Sequence, residues 1–181
     1  NQRNFSNRYT QYLVKNYEVK FHKSLPVISL LRPINLKPLV SLIIPTKNGK
    51  ELVRSCIESI LTLTTYPNFE ILLVDNMSDE KASLDYFTEL NLHPKIRVLK
   101  YPNEFNYSAI NNFAVEHARG TIIGLVNNDI EVISKDWLSN MVRNVVRDDI
   151  GCVGAKLLYS DQRIQHAGVV MGYGGGAGHS H

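Results

Sequence analysis

Residues 121–132, with the sequence TIIGLVNNDIEV, decide how this chain is interpreted. A short apolar run, Thr121–Val126, leads directly into Asn127, Asn128 and Asp129. Open α/β sheets bind ligands beyond the carboxyl ends of their strands, so a carboxylate at this point indicates a ligand site. Hard oxygen ligands suit Mg²⁺ or Mn²⁺ shared with the phosphates of a substrate. The alternative is a simple turn, because Asn and Asp are favoured turn residues.

Outward from this stretch, apolar runs alternate with amphipathic segments. The predicted strands are Val40–Ile44, Glu70–Val74, Ile96–Lys100, Thr121–Val126 and Cys152–Leu158. Helices are predicted near residues 50–63, 79–90, 107–118 and 135–147. This alternation predicts an α/β fold, a mostly parallel Rossmann-like sheet with helices on both faces. The Gly-rich tail, Gly172–His181, is predicted to be a loop.

The basic charge of the chain is concentrated at its beginning. Residues 1–38 hold seven Lys or Arg and one Glu, whereas the remaining residues hold thirteen basic and sixteen acidic side chains. Apolar side chains recur there at helical spacing, at Phe5, Tyr9, Tyr12, Leu13 and Tyr17. An extended linker is indicated by Pro26, Pro33 and Pro38. We therefore predict a basic N-terminal helical arm with a Pro-containing linker over 1–38, and a separate domain over 39–181.

The arm has two interpretations that its charge supports. It could be a solvated surface helix, or it could contact a neighbouring domain or an anionic membrane surface. No apolar run approaches the ~18 residues that span a bilayer, and no signal-peptide core follows residue 1. We expect a cytoplasmic protein, either in solution or peripheral at the inner face of the membrane.

The chain contains two cysteines, Cys56 and Cys152. Cys56 falls within an apolar helical pattern, which predicts a buried free thiol. Two cysteines in a chain of this size do not make a disulfide scaffold, and a reducing compartment fits them.

Two further predicted strands also end in polar residues. The first continues into Pro45-Thr46-Lys47-Asn48-Gly49, where loop amides before a helix favour anions. This loop lacks both the GxGxxG dinucleotide fingerprint and a P-loop. The second ends in Asp75, which could accept a hydrogen bond from a pyrimidine ring N–H or a ribose hydroxyl. Ser78 or Asp79 is predicted to cap the helix that follows.

The third helix begins and continues with polar residues of its own. Asn106 or Ser108 can cap it. Asn111 and Asn112 lie inside it, although Asn is a poor helix former. At least one of these amides is therefore expected to have a polar role, such as bridging a base pocket to the strand of Asp129.

The stretches VSLIIPTKN, ILLVDNMSD and NYSAINNFAVEHARGTIIGLVNND, in this order and at these spacings, resemble inverting family 2 glycosyltransferases of the GT-A fold. The similarity spans roughly residues 39–171. Residues 153–168 are also similar to bacterial enzymes of cell-surface polysaccharide synthesis, including rhamnosyltransferase-like sequences. The resemblance implies hexosyl or rhamnosyl transfer from a nucleoside-diphosphate sugar, with UDP- or dTDP-linked donors favoured, to a glycan or lipid-linked acceptor.

The resemblance also implies a set of site residues. Nucleotide-sugar binding falls to Pro45, Thr46, Asn48, Asp75, Asn111, Asn127, Asn128 and Asp129. The last three correspond to the family's Asp-x-Asp motif, whose first Asp is Asn127 here. Asp129 is therefore the one carboxylate of the motif left for Mg²⁺ or Mn²⁺, and we expect weaker metal binding when nucleotide is absent.

Inverting transfer also needs a general base for the acceptor hydroxyl. The acidic residues after Glu131 lie in or beside the predicted fourth helix or in a turn: Asp136, Asp148, Asp149 and Asp161. We assign no catalytic residue and expect the base beyond residue 181, in an acceptor-binding half that this chain lacks.

Two other functions remain open at this point. A non-catalytic nucleotide-sugar-binding module of a larger assembly would equally lack a base. A nucleotidyltransferase is less favoured, because the loop after the first strand is not rich in Gly, Arg and Lys. Nucleic acid is disfavoured as a partner, since residues 39–181 are net acidic.

Overall fold

The computed structural model describes residues 11–21, 28–172 and 175–179. They form two compact units. One unit is Leu36–Asp136, and the other joins the described residues up to Asn35 with those from Trp137 onward. The predicted division into 1–38 and 39–181 stays a prediction.

The elements follow one another in a regular order through the middle of the chain. In sequence they are α1 (11–16), β1 (Glu18–Phe21), β2 (Ile28–Leu31), β3 (Val40–Thr46), α2 (Lys50–Leu63), β4 (Phe69–Asp75), α3 (Lys81–Leu90), β5 (Ile96–Lys100), α4 (Tyr107–His117), β6 (Ile122–Leu125), α5 (Trp137–Val145), β7 (Leu157–Leu158), β8 (Ile164–His166), β9 (Val169–Met171) and β10 (Ala177–His179).

The unit Leu36–Asp136 is built on a four-stranded sheet in the order β5-β4-β3-β6. All of its strand pairs are parallel, with Thr46 beside Asp75 and Ile43 beside Leu125. The predicted parallel α/β sheet is thereby confirmed. β6 lies at the edge of this sheet and is half-buried, whereas the prediction placed a buried strand before Asn127.

Both faces of β3 and β4 are buried. On one face, Ile43, Leu72 and Val74 pack with Ile110 and Ala114 of α4. Side chains alternate along a strand, so the intervening residues point to the opposite face. These are equally buried: Leu42, Ile44, Ile71 and Leu73. A sheet covered in this way explains why β3 and β4 are almost continuously apolar.

The strand order places a switch point between β3 and β6. The chain moves from β3 to β4 to β5 in one direction, then returns across the sheet to β6. Parallel crossovers are right-handed, so α2 and α3 cover one face and α4 covers the other. The helices on both faces are therefore confirmed, and the crevice beyond the carboxyl ends of β3 and β6 is where such sheets bind ligands.

The opposite, amino end of β3 and β4 holds a buried polar network. The Glu70 carboxylate accepts hydrogen bonds from Ser41 Oγ at 2.7 Å, the Arg119 N–H at 2.7 Å and Arg97 at 3.2 Å. Ser41 Oγ in turn accepts from the Gly120 N–H at 2.9 Å. Burial raises the pKa of Glu70, but these hydrogen bonds outweigh it and hold the pKa below its usual value. The network joins β3, β4 and β5 to the chain entering β6.

The prediction for residues 152–158 is wrong. Only Leu157–Leu158 is a strand, and it pairs antiparallel with β8 rather than extending the parallel sheet. A turn at Tyr159, whose N–H donates to the Arg163 carbonyl at 2.8 Å, brings the two strands together. An apolar run followed so closely by a turn forms a local hairpin instead of crossing back to the sheet.

The predicted loop at the Gly-rich tail is also wrong in part. Ala177–His179 forms β10, which pairs antiparallel with β9. Glycines at 172 and 175 take positive φ angles of 85° and 81° between the two strands, a conformation that glycine adopts without strain. The same glycines that indicated a loop therefore allow a short hairpin.

The N-terminal arm is helical only in part. The described helix covers residues 11–16, and β1 and β2 then pair antiparallel with Glu18 opposite Leu31. The arm therefore contains a hairpin where a helix and an extended linker were predicted, because each strand is too short to show a periodic pattern. Phe5, Tyr9 and Pro26 lie outside the described residues.

Two simpler predictions can be compared directly with the fold. Cys56 is buried and free, as predicted, and Cys152 is also free. Among the described residues, no helix combines the length and the apolar character needed to cross a membrane.

Candidate functional site

A cleft of about 260 Å³ opens at the carboxyl end of the sheet, within the unit Leu36–Asp136. It spans the switch point, since its walls come from the ends of β3, β4 and β6 and from the start of α4. The lining residues are Pro45, Thr46, Lys47, Asn76, Phe105, Tyr107, Ile110, Asn127, Asn128 and Asp129.

The cleft brings together five of the eight residues expected to bind a nucleotide sugar. Those on its wall are Pro45, Thr46, Asn127, Asn128 and Asp129. The other three, Asn48, Asp75 and Asn111, are not among its lining residues. The parallel sheet explains why these five residues lie together, because the carboxyl ends of β3 and β6 lie at the same edge although some 80 residues separate them in sequence.

The segment that carries Asp129 is irregular. Asn127 and Asp129 are exposed, whereas Asn128 is half-buried. The Asn128 side-chain amide donates to Thr46 Oγ1 at 2.9 Å, which ties this segment to the end of β3. The middle residue of the motif therefore holds the two sides of the switch point together, and its neighbours are left facing solvent.

Side chains of helix α2 bind backbone groups of the same segment. Cys56 Sγ lies 3.6 Å from the Asn127 carbonyl oxygen, to which the thiol donates. Ser59 Oγ accepts from the Val132 N–H at 3.0 Å and donates to the Cys56 carbonyl at 2.8 Å. Side chains of one helix thus satisfy backbone groups on both sides of Asp129.

The Cys56 thiol is protonated in this setting. Burial raises its pKa to about 12, the Ile130 N–H opposes this rise, and the charges of Asp129 and Glu131 add to it. A thiol with this pKa is uncharged at neutral pH, so it can donate to Asn127 and is a poor nucleophile.

The loop after β3 is shaped by Asn48. Its backbone is left-handed, with φ of 56°, and its N–H donates to Ser78 Oγ at 2.7 Å. The Asn48 side-chain oxygen accepts from the Asp79 and Glu80 N–H groups at 3.0 and 3.1 Å, and its amide donates to the Asp79 carboxylate at 2.7 Å. That last bond holds the pKa of Asp79 below its usual value.

These contacts correct the predicted cap of α3. The residue at the N-cap position is Glu80, which makes no side-chain cap hydrogen bond. Ser78 and Asp79 do not cap the helix as predicted, because their side chains bond to Asn48. The amides just before α3 are instead satisfied by Asn48 from a loop about 30 residues away. A local sequence pattern cannot show a hydrogen bond from a residue so distant in sequence.

Two adjacent residues at the end of β4 have different positions. Asp75 is 5% exposed and its carboxylate accepts from the Ser78 N–H at 3.0 Å. Asn76 lines the cleft, and its amide donates to the carbonyls of Tyr101 and Asn103 at 3.3 and 2.8 Å. Asn76 therefore anchors the loop that leads into α4.

One of the two predicted N-caps of helix α4 is confirmed. Asn106 is the N-cap, and its side chain accepts from the Ala109 N–H at 3.0 Å. Asn111 is buried, and its amide donates to the Tyr107 carbonyl at 2.8 Å, within α4, instead of to the strand of Asp129 as suggested. Among the described residues, the Asn111 side-chain oxygen has no hydrogen-bond partner.

Five lining residues were absent from the predicted site: Lys47, Asn76, Phe105, Tyr107 and Ile110. Lys47 and Asn76 directly follow predicted residues, so a wider window at each strand end would have included them. Phe105 and Tyr107 flank the cap Asn106, and they are 72% and 46% exposed. Two exposed aromatic side chains beside a predicted helix cap are a signal that sequence could have offered.

The described residues contain no group of three or more His, Cys, Asp and Glu side chains able to hold a metal ion. At the cleft, Asp129 is the one carboxylate, with the amide oxygens of Asn127 and Asn128 beside it. This oxygen donor set fits a hard cation that takes its other ligands from water and from substrate phosphates. It does not fit a preformed cage.

Comparison with known proteins identifies the family. A family model described as Glycosyl transferase family 2 matches residues 41–171. The chain is 50% identical over 168 residues to the uncharacterized protein y4gI of Sinorhizobium fredii, covering 88% of this chain and 18% of that protein. It is 40% identical over 147 residues to the O-antigen biosynthesis protein RfbC of Myxococcus xanthus, covering 81% of this chain and 12% of that protein. The chain thus spans less than a fifth of either relative.

Solved structures share the fold. A mannosyltransferase of Pyrobaculum calidifontis, PcManGT, in complex with GDP-Man and Mn²⁺ matches with a TM-score of 0.58 and 22% identity, covering 83% of this chain and 42% of that one. S. aureus TarS 1-349 matches with a TM-score of 0.51 and 23% identity, covering 59% of this chain and 32% of that one. The predicted GT-A fold is confirmed by this likeness. Because the family model covers most of the chain, the protein belongs to glycosyltransferase family 2.

Proposed function

We propose that the cleft binds a nucleoside-diphosphate sugar, and that the protein transfers this sugar with inversion to a glycan or lipid-linked acceptor. The observation that carries the proposal is the meeting of the Asp129 segment with the end of β3 in one cleft at the switch point. A ligand bound there would contact both ends of the site at once, which suits an elongated molecule such as a nucleotide sugar.

The two sides of the cleft suit different parts of that donor. Phe105, Tyr107 and Ile110 give it an apolar side on which a base or a sugar ring can pack. Lys47 and the amide of Asn127 supply donors for hydroxyl and phosphate oxygens. The combination of an aromatic side and convergent polar groups favours an amphipathic ligand over a simple anion.

The diphosphate belongs, in this proposal, at Asp129. Asp129 would hold Mg²⁺ or Mn²⁺ together with the phosphates, because one exposed carboxylate is too few for an all-protein site. When bound, the cation neutralises the charge that develops on the leaving diphosphate. The cation at Asp129 and the Lys47 amine would then share that charge.

The three expected binding residues that do not line the cleft each have a proposed role of their own. Asn48 shapes the loop after β3 through four hydrogen bonds, so we propose that it acts by fixing the backbone of Thr46 and Lys47. Asp75, 5% exposed at the end of β4, stays the candidate for base recognition. Asn111 supports the start of α4, next to Tyr107 and Ile110 on the wall.

The acceptor side needs a general base that none of these residues supplies. Among the later carboxylates, Asp149 pairs with Arg147 and Asp161 with Arg163. A carboxylate held by arginine is a weaker base than a free one, so we propose that neither accepts the acceptor's proton.

The experiment is a calorimetric titration of the protein with UDP, dTDP and GDP, each with and without Mn²⁺. All three nucleotides are needed because the family resemblance favours a pyrimidine donor, whereas PcManGT is in complex with GDP-Man. We expect one of them to bind with an affinity that rises on adding Mn²⁺. Absence of binding by all three at millimolar concentration, with the protein folded by circular dichroism, would contradict the proposed donor site.

A further inference from the structure

The irregular segment between β6 and α5 has an unusual mode of attachment. Backbone groups of Asn127 and Val132 bond to two side chains of one helix, Cys56 and Ser59 of α2. A segment outside helices and strands needs such partners, since a buried backbone group without one costs free energy. The attachment points lie on both sides of Asp129.

The two side chains form one rigid support. They are three residues apart on α2 and therefore share a face of the helix. Cys56 is fully buried, and the Ser59 hydroxyl is oriented by its bond to the Cys56 carbonyl at 2.8 Å. The same hydroxyl then accepts from the Val132 N–H at 3.0 Å. Each group in this support is fixed by a second contact, so the support can hold the segment in one conformation.

We propose that Ser59 and Cys56 are positioning residues that hold the backbone around Asp129 so that its carboxylate is ready to bind the cation. This inference rests on the proposed function of the cleft. It assigns a role in metal affinity to a helix that supplies no residue to the cleft wall. The role matters because Asp129 is the one carboxylate that lines the cleft. If its segment were mobile, part of the binding free energy of the cation would be used to order that segment.

The bond from Ser59 to Val132 is not one of the contacts that shape the base side. Thr46, Asn48 and Ser78 bond to one another and to the Asp79 N–H before α3, and they hold the loop after β3, which Asn128 also joins through Thr46. Loosening the segment at Val132 should therefore weaken the Mn²⁺-dependent part of nucleotide binding and leave the part measured without metal unchanged. A merely structural role for Ser59 would weaken both parts together.

The test compares Ser59→Ala with Ser59→Thr and with Thr62→Ala as the matched control. Thr62 lies on the same helix, and its hydroxyl donates to the Glu58 carbonyl within that helix. UDP, dTDP or GDP, whichever binds the wild type, is titrated over a range of Mn²⁺ concentrations. Outer contacts of a metal ligand typically change affinity by 10- to 100-fold, so we expect Ser59→Ala to need about tenfold more Mn²⁺, and Ser59→Thr and Thr62→Ala to resemble the wild type.

A Ser59→Ala protein with the Mn²⁺ requirement of Thr62→Ala would overturn the inference, and so would an equal loss of affinity with and without metal. Asp129→Ala, measured alongside, separates this failure from that of the proposed function. If Asp129→Ala keeps full Mn²⁺-dependent binding, the metal site itself is wrong and the inference fails with it.

Amide hydrogen exchange gives a readout that does not depend on a ligand. Ser59→Ala should speed exchange of the Val132 N–H. It should leave that of Ile71, whose N–H bonds to the Lys95 carbonyl at 2.7 Å, unchanged. Unchanged exchange at Val132 would contradict the support that the inference requires.

Discussion

The two ends of β3 and β4 carry polar residues to opposite effect. At the amino end, Ser41 and Glu70 are buried and bond to each other, to Arg97 and to backbone amides. At the carboxyl end, Thr46 and Asn76 are also buried but line an open cleft, together with the exposed Asp129 after β6. The difference teaches that polar residues in one sheet can be separated by role: the amino end stabilises the fold, and the carboxyl end is left available for a ligand.

The largest effect is expected at Glu70. Glu70→Ala removes the acceptor for Ser41, Arg97 and the Arg119 N–H. Breaking a buried charged pair typically costs about 3 kcal/mol or more, so we expect a loss of that order in the free energy of unfolding, measured by urea denaturation. Glu51→Ala, which breaks the exposed pair with Arg54, should cost less than about 1 kcal/mol. Similar losses of unfolding free energy in Glu70→Ala and Glu51→Ala would contradict the stabilising role given to the amino end.

Gly120 tests the same end by sterics. A Cβ at this position would lie 2.6 Å from the Leu39 carbonyl oxygen and 2.7 Å from the Ser41 N, both backbone atoms. Gly120→Ala should therefore destabilise the fold by about 2 kcal/mol, as overpacking does. Gly151→Ala is the matched control, because a Cβ there meets nothing within 4 Å. Equal melting temperatures for the two variants would show that β3 can move away from the chain entering β6.

The pH dependence of stability sharpens the comparison further. The pKa of Glu70 is lower in the folded protein than its ordinary value of 4.5, so the carboxylate contributes stability above that pH and loses it as the pH falls through the folded-state pKa. We expect the free energy of unfolding to fall below about pH 4.5. In Glu70→Gln this fall should be shallower when the free energy of unfolding is measured by denaturation at several pH values. An identical pH profile in the variant would show that the Glu70 network does not cause the fall.

The smallest expected effect lies at the carboxyl end and concerns binding alone. Phe105 is 72% exposed on the cleft wall, so Phe105→Ala should leave stability unchanged. Loss of an aromatic surface for a base or sugar ring should weaken nucleotide affinity about tenfold, since base–aromatic stacking is worth ~1–3 kcal/mol. Leu92→Ala removes an equally exposed apolar side chain away from the cleft. Calorimetry that finds the same affinity for both variants would show that Phe105 does not contact the ligand.

The sequence was sufficient for the parallel sheet and its helices. The strands β3 to β6 and helix α2 were placed within a few residues, because apolar runs and helical periodicity extend over whole elements. The hairpins β1–β2, β7–β8 and β9–β10 were missed because their strands of two to four residues carry no periodic signal. In short strands, pairing across a turn decides the structure.

The candidate site was predictable in part for a related reason. Asp129 was predicted because a parallel sheet binds ligands beyond the carboxyl ends of its strands, and Thr46 because of the family resemblance. Contacts that join distant parts of the chain were not predicted: Asn48 accepts from the Glu80 N–H before α3 from 32 residues away, and Ser59 bonds to Val132 over 73 residues. No local preference encodes such pairs, although they shape the cleft.

The most direct test of the account is Mn²⁺-dependent nucleotide binding by Asp129→Ala, with Glu131→Ala as the matched control. Glu131 is an exposed acid two residues away that does not line the cleft. The account predicts that Asp129→Ala loses the Mn²⁺-dependent part of binding and keeps the wild-type melting temperature, while Glu131→Ala binds as the wild type does. Mn²⁺-dependent binding retained by Asp129→Ala would contradict the account.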